Sequence, residues 1–389
     1  MNLAEKQSRI GAVDALRGFA VMAILLIHSV EHFIYPVYPT DSAAWLATLD
    51  EGVLKVVFAL FAGKAYVIFA LLFGFTFWQQ RDNRLRRGED FGVRFLWRLL
   101  LLAGFATLNA AFFPAGDVLL LFSIVGVLLF VVRRWSDGAV FALALLLLVQ
   151  PMEWYNYIRG LCNPDYTLPD LGVGAMYQQM AESTKQGDFW YFLVQNVTLG
   201  QKASLLWAVG AGRLCQVGGL FLLGLLLGRR GLLLETPRAL RFWIGALIVG
   251  ALLYVPLEAL RGLVPDAELA AKTVGTVLDM WRNLAFSAVL VSSFLLLWRT
   301  ARMRRIAAPL QLYGRMSLTN YISQSILGAL VYFPLGLHLA PYCGATLSLL
   351  IGFALFAVQV AFCRWWLARH RQGILEALWH RLTWLGSGK

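Results

Sequence analysis

The sequence predicts an all-α polytopic membrane protein with about ten transmembrane helices and cytoplasmic N- and C-termini. Composition is the first reason. Of 389 residues, 59% are hydrophobic and 14% charged, with a mean hydropathy of +0.65, which an ordinary soluble domain does not reach. The second reason is punctuation: apolar runs of about 20 residues, the length that crosses a bilayer as a helix, recur between short basic clusters. Six such clusters, at 1–17, 79–98, 133–134, 229–241, 299–315 and 364–389, hold 25 of the 34 Lys and Arg. A ten-helix path puts all six on one side, which the positive-inside rule makes cytoplasmic. The net charge of +12 is then a topology signal, and nucleic acid is set aside as a partner in favour of membrane lipid.

The first run, Asp14 to Pro36, reads DALRGFAVMAILLIHSVEHFIYP and organises the chain. It is too long for a signal-peptide core and ends in HSVEHF without a small-x-small cleavage site, so it is expected to remain as helix 1. Arg17 and His28 are 11 positions apart and share a helix face, separated by roughly 16 Å along the axis. Glu31, His32 and Tyr35 are expected to continue that face. Ionisable residues aligned inside a membrane helix mark a cavity or substrate path. Arg17 alone reads equally well as an interfacial anchor, and Glu31 with His32 as an outer-interface pair. His28 is different, because AILLI precedes it and imidazole does not snorkel as Lys and Arg do. A histidine satisfied by a neighbouring helix stays open beside a catalytic one.

An outer loop near 37–50 follows. The run from Val53 to Trp78 is too long for one straight crossing and is expected to split into an outer amphipathic segment and a helix beginning near Gly63-Lys64. Helices are expected at about 94–113, on to 133 after a turn at Pro114 to Asp117, and at 138–152. The stretch 153–203, with WYNYIRG, NPDYTLPD and GDFWYF, is polar yet aromatic and reads as an ordered extracytoplasmic cap. Further helices are expected at about 204–228, 241–260, 277–298, 316–337 and 345–367. A cytoplasmic amphipathic tail, 369–389, closes a single integral membrane domain covering 1–389.

Polar residues recur inside these helices. Lys64 and Arg213 are expected at the depth of His28 and Glu31, to neutralise one another or to line a hydrated pocket. Ser317, Asn320 and Gln324 fall at i,i+3 or i,i+4 spacing as one stripe above Arg315. Hydrogen bonding between helices explains each of them singly. The four cysteines, at 162, 215, 343 and 363, lack metal or redox spacing, and only Cys162 and Cys343 fall on one outer side where a disulfide is an option. His28 and His32 sit in HSVEH rather than HExxH, so no metal site is expected.

DALRGFAVMAILLIHSVEHF, GKAYVIFALLFGF, FLLGLLLGRRG and especially GRMSLTNYISQSIL resemble the YeiB-like family of bacterial membrane proteins. That family is grouped with transmembrane acyltransferases, beside heparan-α-glucosaminide N-acetyltransferase and the acyltransferase-3 proteins, whose first helix carries the R-x10-H pattern that Arg17 and His28 match. The resemblance implies transfer of an acyl group, acetyl first among them, from cytoplasmic acyl-CoA to an extracytoplasmic sugar or glycan. It also implies a bacterial inner membrane. On this reading His28 or His32 is the base, helped by Glu31, and Lys64, Arg213, Asn320 or Gln324 binds acceptor or oxyanion. Arg86, Arg87, Arg133 and Arg134, with Arg81, Arg84, Arg304 and Arg305, offer a cationic mouth for the CoA phosphates. Arg17, Arg315 and Ser317 line the passage for its pantetheine arm. A transporter or flippase using the same buried charges is the competing class, and a homodimer is an open option.

Overall fold

The computed structural model describes residues 10–33, 37–114 and 116–385, and among them it contains helices and turns but no strand. In chain order the first helices are α1 (Gly11–Val30), α2 (Ala44–Phe61), α3 (Lys64–Leu85), α4 (Gly92–Phe112), α5 (Leu119–Val132), α6 (Asp137–Leu148) and α7 (Pro151–Cys162). Then come α8 (Val173–Gln186), α9 (Phe189–Gln195), a π turn (Asn196–Gly200), α10 (Gln201–Gly210) and α11 (Arg213–Arg229). The chain finishes with α12 (Pro237–Gly262), α13 (Glu268–Lys272), α14 (Val274–Trp298), α15 (Ala301–Ile306), α16 (Ala308–Arg315), α17 (Ser317–Tyr332), α18 (Ala345–Leu367) and α19 (Ile374–Thr383).

Apart from the face that carries Arg17 and His28, α1 is apolar all round, which is why it is buried rather than set at the lipid surface. It packs against α3, α16 and α18. Gly18 and Gly314 allow the closest of these approaches. A methyl group on Gly18 would run into the Leu310 carbonyl oxygen, and one on Gly314 into that of Asp14, so the two backbones touch as small residues permit in membrane bundles. By contrast α12 buries only Ala239, Trp243 and Gly250 and leans on α14.

Among the described residues, six helices are long and apolar enough to cross a membrane, or eight if each of two bent pairs is one span. The chain is accordingly a membrane protein in character. α5, with 14 residues, and α17, with 16, are shorter than the roughly 20 residues of a straight crossing.

The expected split at Gly63-Lys64 is present: Gly63 adopts φ 76°, a left-handed conformation that glycine takes without penalty, and it separates α2 from α3. Four expected helices are interrupted or shortened. The one expected at 316–337 ends at Tyr332, where Phe333 turns extended before Pro334. That at 138–152 ends at Leu148, because Gln150 turns left-handed (φ 65°) before Pro151, and the residue before proline avoids the helical region. α6 and α7 meet at a 44° bend. That at 204–228 breaks at Gly212 and bends by 78°. Helix 1 stops at Val30, and His32 and Phe33 have φ of 47° and 51°, so the face does not run on through His32. Tyr35 lies outside the described residues, as does Ala115 in the turn after α4.

The stretch 153–203 is mostly helical. It is anchored where Asn196 Nδ2 donates to the Ala111 carbonyl at 3.1 Å and where Phe192 meets Phe333 edge-on. α19 docks on α4 and α17. All four cysteines are free thiols, with Cys162 exposed and Cys343 buried, so the optional disulfide is not formed.

Candidate active site

Two cavities lie end to end along α1. The first, about 410 Å³, opens at the end of the bundle bearing the basic clusters and is lined by Arg17, Arg84, Arg87, Arg98 and Arg315 with Gln80, Asn83 and Ser317. The second, about 510 Å³, lies at the other end and holds His28, Glu31, Asp117 and Arg213 among Tyr66, Tyr177 and Trp207. Among the described residues only Phe69 and Tyr321 line both.

In the second cavity, His28 sits in the last turn of α1 and Glu31 at its C-cap. His28 Nδ1 and Glu31 Oε2 are 3.3 Å apart, and the imidazole edge rests on Phe113, with 4.6 Å between ring centroids. Arg213 begins α11, directly after the Gly212 break. Its guanidinium lies 4.6 Å from the Tyr66 ring and 4.3 Å from that of Trp207. Such cation–π contacts hold an arginine without consuming its donors. The helix break therefore delivers a cation to the cavity wall beside an acid and a base.

His32, the other base candidate, faces elsewhere. Nδ1 is 2.8 Å from the Val37 carbonyl, Nε2 is 2.8 Å from Ser348 Oγ, and the ring stacks on Tyr332 at 4.9 Å. Both nitrogens are committed, so this histidine pins the end of α1 to α18. Lys64 is buried on the far side of Gly63, 5.6 Å from the Phe286 ring, beside the Arg282–Glu258 and Arg282–Asp279 pairs. It does not join His28. Asn320 donates to the Tyr313 carbonyl (2.9 Å) and to Cys363 Sγ (3.2 Å) and accepts, through its own carbonyl, from Gln359. Gln324 lines neither cavity. The expected stripe thus divides: Ser317 lines the first cavity, while Asn320 knits α16, α17 and α18 together.

At the first cavity Arg17 donates to Asp14 (3.1 Å) and to Thr76 Oγ1 (3.0 Å). Arg87, Arg315 and Ser317 line it as well. Arg86 does not: it is two-thirds exposed and bound to Asp82. Arg133 folds back on the Phe130 ring and carbonyl, and neither it nor Arg134 reaches the cavity. Arg81, Arg304 and Arg305 are also outside. Arg86, Arg133 and Arg134 belong to the turns between helices, Arg81 to the last turns of α3, and Arg304 and Arg305 to the short α15, positions where charge stays in the interface.

Two contributions escaped the sequence. Asp117 read as a turn residue, yet its carboxylate is buried in the second cavity, taking 2.9 Å and 3.1 Å hydrogen bonds from Asn109 and the Leu120 N–H; Ser325 donates in turn to Asn109. The sequence reads 369–389 as a cytoplasmic amphipathic tail with no part in a site, yet Glu376, Trp379 and His380 form a wall of the first cavity. Glu376 accepts from the Leu318 and Thr319 N–H groups and the Thr319 hydroxyl, capping α17 as a carboxylate does at a helix N-terminus. Arg98 stacks on Trp379 at 4.0 Å and Arg84 on Trp384 at 3.8 Å. His380 is held below the usual histidine range by burial and then by Arg98 and Arg84. Among the described residues no cluster of metal-ligating side chains occurs.

Residues 227–386 match a family described as Protein of unknown function (DUF418). That segment supplies Arg315, Ser317, Tyr321 and the α19 wall, whereas His28, Glu31 and Arg17 lie outside it. Over nearly its whole length the chain is also similar to three bacterial proteins. The uncharacterized protein YxaH of Bacillus subtilis (strain 168) is 24% identical, over 97% of this chain and 94% of the relative. An uncharacterized 39.9 kDa protein from the amylase 3' region of Bacillus acidopullulyticus is 26% identical, over 97% and 94%. No solved structure matches the chain. The uncharacterized protein YeiB of Escherichia coli (strain K12) is 26% identical over 97% of this chain and 96% of the relative, so the likeness to YeiB expected from four short motifs extends from one end of the chain to the other.

Proposed function

We propose that the protein is a multi-pass acyltransferase of the bacterial inner membrane that moves an acyl group, acetyl first, from cytoplasmic acyl-CoA to an extracytoplasmic acceptor such as a sugar or glycan. One observation carries the reading: an arginine-lined cavity and a cavity holding a His–Glu pair lie back to back along one helix, divided by two aromatic rings. The resemblance to transmembrane acyltransferases supplies the reaction class. The count of basic residues supports a cytoplasmic first cavity, and ten crossings follow if α5, α17 and both bent pairs each span.

In this mechanism Arg84, Arg87 and Arg98 take the CoA phosphates, since guanidinium matches phosphate in charge and geometry. The pantetheine arm lies past Arg17, Thr76 and Ser317, and its thioester reaches the Phe69–Tyr321 boundary. With its proton on Nδ1 toward Glu31, His28 presents the Nε2 lone pair as general base. It takes the acceptor hydroxyl proton as the new C–O bond forms. The oxyanion faces Arg213. Collapse breaks the C–S bond, and the proton passes from His28 to the leaving CoA thiolate. The aromatic wall of Tyr66, Tyr177 and Trp207 suits the apolar faces of a sugar.

A transporter reading has one observation in its favour: two helices break inside the bundle, at Gln150 and Gly212, as helices do around transported substrates. Acetyl-CoA binding and hydrolysis by purified protein separate the two, with wild type beside His28→Ala and Arg84→Ala/Arg87→Ala. Acyl transfer requires CoA binding that the arginine variant weakens and slow thioester turnover that His28→Ala abolishes. Absence of CoA binding at millimolar concentration overturns it and leaves transport.

A further inference from the structure

A third cavity, about 510 Å³, has no part in this scheme. It is a slot between α6 and α12, floored by α3 and α11 and backed by α14. Its walls are mostly apolar: Phe141 lines it from α6 and Phe242 from α12, with Leu71, Leu223, Ala246 and Val291 further in, and Ser287 is the exception on α14. The Trp243 indole N–H donates to the Leu232 carbonyl at 2.6 Å, so that ring turns only hydrocarbon to the slot. Depth follows from α12, where Arg238 to Ala246 is roughly 12 Å of helix, about one leaflet's worth of hydrocarbon.

Charge gathers at a single end. Arg230 Nε binds Asp137 Oδ2 at 2.8 Å and Arg229 binds Asp137 Oδ1 at 3.1 Å, while Arg238 stands at the second position of α12. Asp137, Arg230 and Arg238 all border the slot. Three guanidinium groups against one carboxylate leave two positive charges, at the end of the bundle that carries the basic clusters. We propose that this slot binds one anionic glycerophospholipid of that leaflet, with an acyl chain between α6 and α12 and its phosphate at Arg230 and Arg238. Basic pockets between transmembrane helices recognise lipid headgroups in this way. The bound chain fills the gap that keeps the α12–α14 hairpin from packing on α6, and so ties the hairpin to the rest of the bundle. This assignment is independent of the acyl-transfer reading.

Full-length protein, delipidated in a neutral detergent, tests it by native mass spectrometry and thermal unfolding with phosphatidylglycerol, phosphatidylcholine or glycerol 3-phosphate added singly. The expected result is one retained phosphatidylglycerol and a rise in melting temperature at least twice that given by phosphatidylcholine. Arg238→Gln should abolish the preference without lowering the melting temperature of lipid-free protein. Ala246→Trp, which fills the slot, should abolish retention of both lipids. Equal response of wild type to the two lipids overturns the site. Two further results overturn it: preference surviving both substitutions, and a shift reproduced by glycerol 3-phosphate, which would require phosphate binding without the slot.

Discussion

Phe69 and Tyr321 lie face to face, 6.3 Å between ring centroids and 9° between ring planes. Among the described residues they are the only two that line both the arginine cavity and the His28 cavity. Phe69 also stacks on Phe122 at 5.8 Å, which holds its ring in place. Two stacked aromatic side chains, Phe69 and Tyr321, therefore stand at the boundary between the cavities.

Removing one ring should join the cavities. Phe69→Ala is expected to raise acceptor-independent acetyl-CoA hydrolysis severalfold, because water from the outer cavity gains the thioester, whereas Tyr321→Phe, which keeps its ring, should stay within twofold of wild type. The stability cost is at or below about 3 kcal/mol, since Phe69 is only partly buried. A readout free of the chemistry is available: in a cysteine-free background, Thr76→Cys should react with an impermeant thiol reagent from outside only when Phe69 is alanine. Labelling that does not depend on Phe69 would mean that the rings are no barrier.

The two histidines of α1 and its end should separate by phenotype. His28→Ala is expected to lower transfer by about 10²–10⁴-fold, the usual contribution of a general base, with little change in thermal stability, since the imidazole's polar partner among the described residues is the partly exposed Glu31. His32→Ala should do the reverse. It strands the Ser348 hydroxyl and the Val37 carbonyl and removes the stack on Tyr332, costing about 2–4 kcal/mol. Turnover per folded molecule should persist. Loss of transfer in His32→Ala at normal stability would return the base assignment to the other histidine.

The pattern of what was legible follows from the kind of information each residue carries. Apolar length and basic clusters located the helices, and Gly63 announced its own break. Arg17 and His28 were found because an 11-residue spacing on one helix is local geometry. Lys64 and Asn320 were misplaced because equal depth in the bilayer does not say which way a side chain faces, and here Gly63 turns Lys64 toward α14. The break at Gly212 sits in an apolar stretch that looks continuous, whereas the one at Gln150 is marked in the sequence by Pro151. Asp117 and Glu376 went unseen because their partners, Asn109 and the N-terminus of α17, lie 8 and 58 residues away in the chain. Such pairings exist only after packing.

The wall that α19 contributes should respond to pH through His380. Burial, followed by Arg98 and Arg84, lowers its pKa in the docked helix below the reference of 6.5. The docked state therefore resists the proton that a released tail accepts. Stability of docking is full above about 6.5, the undocked pKa, and falls as pH drops below it, because the released state then binds more protons. Hydrogen exchange of the 374–383 amides, corrected for intrinsic rates, should show protection that weakens between pH 7.5 and 5.5. In His380→Gln the protection should be flat across that window. Glu376 also faces the dock and caps α17; if His380→Gln keeps the full pH dependence, the imidazole is not its source. A polyanion such as the CoA phosphates, lodged between Arg84, Arg98 and a newly protonated His380, would oppose this loosening, because it offsets the charge repulsion that drives the tail away. Acetyl-CoA at pH 5.5 is accordingly expected to restore protection in wild type and to have no such effect in His380→Gln.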